Sequence, residues 1–175
     1  MTAAETAQLL RNHDHFLILT HVRPDGDTVG CAAALCGALQ NLGKTAYVLE
    51  NPELTASYAD YVTPYHAPAG YETDYVVTTD VASLGLLPEN ASQYREHINF
   101  AIDHHPSYEG FATDGCCVRS ECAAAGEIVY EIVKELGSIT PTIATALYCA
   151  VSTDTGCFVY NNTTADTHRV AAALI

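Results

Sequence analysis

Residues 16–27 read FLILTHVRPDGD and combine a strand, a loop and the start of a helix. The first four residues of this stretch are all apolar, which is typical of a strand buried in a parallel sheet. Proline and glycine predict a loop over residues 22–27, and Thr28 is suited to cap the helix that runs from there to Asn41. Residues 45–49 form a second strand-like stretch. The resulting β-α-β order predicts a parallel connection between the two strands.

The alternation of strands and helices continues along the rest of the chain. It predicts an α/β domain with a mainly parallel sheet of about five strands and helices on both faces. In such sheets the functional crevice lies beyond the carboxyl ends of the strands, so we expect the active site there. The remaining strands are predicted at 74–79, 99–102 and 116–118, with a short extended piece at 158–159. The remaining helices are predicted at 3–12, 56–62, 90–97, 123–136, 141–153 and from 164 or 166 onward.

The composition indicates one globular domain within the 175 residues, because apolar residues make up 49% of them. No apolar run is long enough to span a bilayer, so no membrane partner is expected. The N-terminus has no secretory signal pattern. The odd cysteine count of 7 argues against a complete disulfide framework. These features together predict a cytoplasmic protein.

The chain is strongly acidic, with a formal net charge of −14 from 21 acidic and 7 basic residues. This balance argues against nonspecific binding to nucleic acid, which uses lysine and arginine against phosphate. Two bound divalent cations would add about four positive charges at one place. An acidic chain can therefore still contain a pocket that attracts anions.

Acidic and histidine residues follow the predicted strand ends, namely His21, Asp25, Asp27, Asp80, Asp103 and His104. Asp154 adds a carboxylate at a helix C-terminus, where it is unfavourable to the helix dipole unless it is compensated. The carboxyl ends of parallel strands share one edge of a sheet, so we expect a single site. Carboxylates and imidazoles suit hard or borderline divalent ions such as Mn²⁺. Asp80 is suited to bridge two ions about 3.5–4 Å apart.

Each of these pieces has a more common structural explanation when it is taken alone. Asp-Gly-Asp usually forms a turn, and an aspartate at a strand end often caps a helix. Only the combination after successive strands favours metal binding. Arg23 and Arg119 are candidates for contact with a substrate phosphate, and solvated or structural pairing is an equal alternative. Cys116, Cys117 and Cys122 lack the paired spacing of a zinc site.

The chain resembles the DHH phosphoesterase superfamily in four motifs that together span residues 20–156. The motifs are His21-x-x-x-Asp25-Gly26-Asp27, Thr79-Asp80, Asp103-His104-His105 and Thr153-Asp154-Thr155-Gly156. Further details resemble the branch of oligoribonucleases that also act as 3′-phosphoadenosine 5′-phosphate phosphatases. These details are Asp103-His104-His105-Pro106, Cys157-Phe158 and Asn162-Thr163-Thr164.

The resemblance implies two Mn²⁺ ions and hydrolysis by a hydroxide that bridges them. One ion would be held by His21, Asp25 and Asp80. The other would be held by Asp27, Asp80, His104 and Asp154. His105 would face the scissile phosphate as a hydrogen-bond donor or general acid, and Asp103 would orient its neighbours.

Members of this branch carry a second, smaller domain with a glycine-rich, histidine-containing motif that binds substrate, and this sequence has no such motif. We therefore expect residues 1–175 to be the catalytic domain of a longer protein. The expected reaction is hydrolysis of short oligoribonucleotides, of 3′-phosphoadenosine 5′-phosphate, or of both. Cyclic dinucleotides, pyrophosphate and polyphosphate stay open as substrates. A homodimer also stays open, as does a domain that binds metal and nucleotide without efficient turnover.

Overall fold

Five parallel strands form the sheet in the computed structural model, which describes residues 1–175. They are β1 (Phe16–Leu19), β2 (Ala46–Val48), β3 (Tyr75–Thr79), β4 (Phe100–Asp103) and β5 (Gly115–Val118). Their order across the sheet is β2-β1-β3-β4-β5, and every neighbouring pair is parallel. The chain moves from β1 to one side and from β3 to the other. The strand order therefore reverses between β1 and β3, and the carboxyl ends of these two strands border the crevice where α/β sheets bind ligands.

Six α-helices accompany the sheet, so the predicted α/β class and the five-strand count are confirmed. They are α1 (Ala3–Arg11), α2 (Gly26–Asn41), α3 (Ala56–Val62), α4 (Ala125–Leu136), α5 (Pro141–Asp154) and α6 (Ala165–Ala173). Gly137 ends α4 in the left-handed conformation, and Pro141 occupies the first turn of α5. None of the helices combines the length and the apolar character that a membrane crossing requires.

The first face of the sheet packs against the α-helices, and α2 lies at the centre of that layer. Residues 26–39 of α2 are all buried. Small residues let α2 and α5 approach closely, since a Cβ atom on Gly30 would lie 2.3 Å from the Ala146 carbonyl oxygen and 2.9 Å from the Ala150 Cβ. This close approach brings the acidic start of α2 next to the acidic end of α5.

The second face of the sheet is covered by two short 3₁₀ helices, Leu84–Leu86 and Glu89–Tyr94, and by the loops around them. Leu17, Leu19 and Val76 point toward this side and are buried with Val81, Leu87, Ala91 and Ile98. The helices on the two faces thus differ in kind. The long α-helices bury most of the core, and the 3₁₀ segments form a thinner cover that reaches the carboxyl ends of the strands.

Two local predictions were wrong. Helix α2 begins at Gly26 with Asp25 as its cap, because the Asp25 carboxylate accepts hydrogen bonds from the backbone of Asp27 and Thr28. Thr28 is therefore inside the first turn, where its hydroxyl donates to the Thr79 carbonyl at 2.7 Å and ties α2 to β3. The predicted extended piece at 158–159 is a turn, in which Cys157 and Phe158 both have positive φ.

Candidate metal centre

The strand ends bring the predicted acidic and histidine residues to one place. Asp80 directly follows β3 and is only 3% exposed. Its φ of 59° is a left-handed conformation that costs about 1 kcal/mol or more for a residue with a side chain. Asp103 is the last residue of β4, and His104 and His105 follow it. Strain of this kind persists where the surrounding structure requires it, and here it turns the Asp80 carboxylate into the crevice.

The first group of candidate ligands consists of His21, Asp25 and Asp80. His21 Nε2 lies 3.6 Å from Asp25 Oδ1 and 3.5 Å from Asp80 Oδ2. The other ring nitrogen of His21, Nδ1, donates to the Val22 carbonyl at 2.8 Å. This hydrogen bond orients the ring so that Nε2, the nitrogen that a metal ion would bind, faces the carboxylates.

The second group consists of Asp27, His104 and Asp154. His104 Nε2 lies 3.8 Å from Asp27 Oδ2 and 3.2 Å from Asp154 Oδ2. Its Nδ1 hydrogen-bonds to the Cys122 carbonyl at 3.2 Å, so this ring is also oriented with Nε2 toward the carboxylates. The arrangement joins residues from α2, α5 and the end of β4, which are far apart in the chain.

Asp80 connects the two groups. Its Oδ2 faces His21 Nε2 at 3.5 Å, and its Oδ1 faces His104 Nε2 at the same distance. Each oxygen of this carboxylate is thus presented to a different group. Both Asp80 Oδ1 and His104 Nε2 are buried and have no hydrogen-bond partner. Buried polar atoms without partners are costly, and a shared cation is a natural way to satisfy them.

Asp27 is held by donors that the local sequence pattern does not indicate. Its Oδ2 accepts a hydrogen bond from the backbone N–H of Ala125 (2.7 Å), and its Oδ1 accepts from Gly126 (2.9 Å) and from the Cys31 thiol (3.3 Å). The first two donors belong to the N-terminus of α4, which favours negative charge. A signal was available in the sequence, because α4 starts at Ala124-Ala125-Gly126 without a capping side chain. Its free N–H groups needed another acceptor.

The electrostatics of the site fit divalent cations. Burial, and after it the nearby charges of Asp80 and Asp154, raise the pKa of Asp27 well above its ordinary value. Burial also raises the pKa of Asp80. Burial lowers the pKa of His104, but its close contact with the Asp154 carboxylate and the charges of Asp27 and Asp80 outweigh this effect and bring the pKa to about 9. The clustered carboxylates therefore need positive charge beside them, which protonated histidines or metal ions can supply.

The carboxylates of the first ligand group show the same need for positive charge beside them. Burial lowers the pKa of His21, but the contacts with the Asp25 and Asp80 carboxylates outweigh this effect and raise the pKa to about 10. The pKa of Asp25 shifts downward. Burial alone would raise this pKa, but the contact with His21 lowers it. Two oriented imidazoles, four carboxylates and unpaired buried atoms together form a donor set that fits two metal ions.

His105 lies beside this set with a different orientation. Its Nδ1 hydrogen-bonds to Asp103 Oδ1 at 2.8 Å, and that bond, the largest influence, raises the pKa of His105. Asp103 Oδ1 also accepts from the His104 backbone N–H at 2.9 Å. His105 also lies close enough to Asp80 and His104 to form a third candidate ligand group. The bond to Asp103 engages Nδ1, so Nε2 is the nitrogen left for a ligand in the cavity.

A cavity of about 460 Å³ opens over the site. It is lined by members of both ligand groups and by His105, Arg23, Val22 and Leu86. Arg119, the other arginine candidate, is not part of this lining, and its Nη1 donates to Glu131 at 2.8 Å. Arg119 is therefore engaged in a structural pair with Glu131, and Arg23 is the arginine that lines the cavity.

The family assignment follows from a comparison with protein-family models. The model described as "DHH family, N-terminal domain" matches residues 15–151 of the chain. The chain belongs to the DHH family. The matched residues run from the start of β1 into α5 and thus include the sheet and every candidate ligand except Asp154.

Curated relatives of this DHH-family chain align with it over part of their length. It is 34% identical to the bifunctional oligoribonuclease and PAP phosphatase NrnA of Thermus thermophilus, over 90% of this chain and 48% of the relative. The protein of the same name from Mycoplasma pneumoniae is 29% identical over 91% of this chain and 52% of its own length. The chain therefore spans about half the length of the curated relatives it matches.

Solved structures share the fold of the DHH-family chain. An exopolyphosphatase-related protein from Bacteroides fragilis superposes with a TM-score of 0.81 at 21% identity, covering 98% of this chain and 55% of that one. The exonuclease RecJ bound to manganese gives a TM-score of 0.57 at 13% identity, covering 98% of this chain and 46% of RecJ. At these identities the likeness establishes the fold alone.

Proposed function

We propose that residues 1–175 form the catalytic domain of a metal-dependent phosphoesterase that hydrolyses short oligoribonucleotides, 3′-phosphoadenosine 5′-phosphate, or both. The observation that carries this proposal is the position of Asp80, which presents one carboxylate oxygen to each of two ligand groups. Paired metal sites with a bridging carboxylate are typical of enzymes that cleave phosphoester bonds. The names of the curated relatives supply the substrate class.

Two divalent cations, with Mn²⁺ as the preferred ion, would occupy the two groups. His21, Asp25 and Asp80 would hold one ion, and Asp27, Asp80, His104 and Asp154 would hold the other. When bound, such ions neutralise charge on a phosphoryl group and lower the pKa of a coordinated water molecule. The imidazole and carboxylate donors suit Mn²⁺, whereas the absence of thiolates facing the site disfavours soft ions.

The protein's own groups would position the substrate and move a proton. His105 is placed to donate a hydrogen bond or a proton from Nε2 to a phosphate oxygen, because Asp103 engages Nδ1 and stabilises the protonated ring. Arg23 is placed in the cavity wall, where its guanidinium can pair with a second phosphate oxygen. Asp103 is a positioning residue in this scheme, since it acts through His105 and the His104 backbone.

The curated relatives are about twice as long as this chain, so a substrate-binding domain outside residues 1–175 is part of the proposal. Under this division of roles, the catalytic domain binds the metal ions and the reacting phosphate. The other domain would hold the part of the nucleotide that extends beyond the crevice. The isolated domain is then expected to turn over its substrates, but with a raised KM.

The decisive experiment loads the protein with Mn²⁺ and compares a generic phosphodiester, a short oligoribonucleotide, 3′-phosphoadenosine 5′-phosphate and pyrophosphate. We expect turnover of the nucleotide substrates and about two ions per chain by elemental analysis. Asp80→Asn, which keeps the shape of the side chain and tolerates the left-handed backbone, should lose both ions and activity. Asp25→Ala should mainly weaken the binding of one of the two ions. The proposal fails if no substrate turns over and wild-type protein retains less than one ion per chain.

A further inference from the structure

The part of the cavity wall that offers no metal ligands is largely apolar. Among the residues outside the ligand groups, Val22, Arg23 and Leu86 line the same opening. The Val22 backbone N–H donates to the Leu86 carbonyl at 2.7 Å, which joins the loop after β1 to the 3₁₀ helix Leu84–Leu86. The apolar wall formed by Val22 and Leu86 is therefore built into the fold by a backbone hydrogen bond.

Leu86 is turned toward the cavity although its neighbours pack inward. Leu87 is buried at 3% exposure, and Leu84 packs against the same apolar cluster on the second face of the sheet. Leu86 itself is 39% exposed. A leucine in this position exposes apolar surface to water unless a ligand covers it, and covering it would be favourable. The 3₁₀ helix Leu84–Leu86 thus presents one apolar side chain to any ligand that binds over the two metal-ligand groups.

The charges around the cavity favour a ligand with few negative charges. Two divalent cations would offset the four carboxylates of the two groups, and Arg23 is the one arginine in the wall. A chain of phosphates carries about one negative charge per unit and would call for several cations along its path. A single phosphoester carries about one or two negative charges, and its organic group can cover an apolar wall.

We propose that Leu86, with Val22 beside it, is a specificity-determining residue that contacts the organic group of the substrate. The site then selects a phosphoester that bears a nucleoside-like group over inorganic phosphates. This inference rests on the proposed phosphoesterase function and narrows its substrate class. It also assigns discrimination against pyrophosphate and polyphosphate to residues of this chain.

The test compares binding of adenosine 5′-monophosphate and inorganic phosphate to the Mn²⁺-loaded protein by titration calorimetry. These two probes share a phosphate group and differ in the nucleoside. Leu86→Ala should raise the Kd for adenosine 5′-monophosphate about tenfold and change the Kd for inorganic phosphate less than about twofold. The matched control is Leu42→Ala, because Leu42 is equally exposed at 38% but follows the far end of α2. It should leave both constants unchanged.

The two proposals fail separately in this experiment. Equal affinity of wild type and Leu86→Ala for adenosine 5′-monophosphate overturns the role of Leu86, and so does an equal loss of affinity for both probes. If Leu86→Ala shows the expected selective loss but wild type hydrolyses no phosphoester, the apolar wall stands as a binding feature and the proposed catalytic function fails. Metal content should be the same in all three proteins, since Leu86 belongs to neither ligand group.

Discussion

At the scale of single residues, the site is a set of buried charges that depend on one another. Asp27 is fully buried and held by three donors, and Asp80 is nearly so and adopts a strained backbone. Such carboxylates are expensive in a folded protein unless positive charge accompanies them. The free-energy cost of burying these carboxylates is consistent with a function, because the fold alone would not require acidic side chains at these positions.

Asp103→Asn should lower the pKa of His105, because the Asp103 carboxylate is the largest influence that raises it. The protonated form of His105 is then lost at lower pH. If His105 acts as the general acid, the alkaline limb of the kcat profile shifts toward lower pH. Titration of the His105 ring by NMR, together with the rate profile, measures both effects.

The control for this change is Asp74→Asn, which removes an exposed partner of His15 at 3.3 Å, away from the site. It should leave the ring titration of His105 and the rate profile unaltered. An unchanged His105 titration in Asp103→Asn would contradict the assignment of Asp103 as the residue that sets its protonation.

At the scale of elements, the contact between α2 and α5 determines where the second ligand group forms. Gly26 faces Thr153 and Gly30 faces the Ala146 carbonyl, so the two helices approach more closely than side chains of ordinary size would allow. Asp27 is in the first turn of α2, and Asp154 is the last residue of α5. The glycines therefore place the two carboxylates near His104, which the individual helix sequences do not specify.

Gly30→Ala should destabilise the protein by about 2–3 kcal/mol in urea unfolding, because the added methyl would lie 2.3 Å from a backbone oxygen that cannot easily move. Gly37→Ala in the same helix is the matched control. Its new Cβ would meet the hydroxyl of Tyr65 at 2.8 Å, which is the end of a flexible side chain. This variant should cost less than about 1 kcal/mol, since alanine also favours the helix. Equal losses in the two variants would show that the helix contact is not specific.

At the scale of the whole molecule, the net charge of −14 opposes the compact state, and the acidic cluster at the sheet edge concentrates part of that charge. Ligands that bind only the folded state stabilise it by mass action. Bound cations would relieve the local repulsion at the same time. Metal binding and global stability are therefore linked in this fold.

Mn²⁺ should raise the free energy of unfolding by about 2.7 kcal/mol for an ion supplied at a hundred times its Kd. Thermal unfolding followed by circular dichroism with Mn²⁺, and again after removal of the ion by a chelator, measures the change as a shift in Tm. Asp80→Asn should unfold at a Tm that does not respond to Mn²⁺. A wild-type Tm that is equally unresponsive would exclude a metal site of useful affinity.

The α/β class, the number of strands and the residues that stand at strand ends were predictable from the amino-acid sequence, because period, length and turn residues are local properties of the chain. The sequence also indicated Asp80 as the residue between two clusters. It did not predict that Asp25 caps α2, that α4 supplies backbone donors to Asp27, or that Cys31 contacts the same carboxylate. These depend on which helix ends meet in space, and sequence distance does not report that.

Tertiary structure alone also decided which arginine lines the cavity and where the apolar wall lies. Arg23 and Arg119 are equivalent in the sequence, but the pairing of Arg119 with Glu131 arises only when the segment after β5 meets α4. Leu86 is one leucine among several in its segment, and its exposure follows from the 3₁₀ turn that buries Leu87. Local patterns fix which residues can carry the chemistry, and packing between distant elements selects the partners each of them meets.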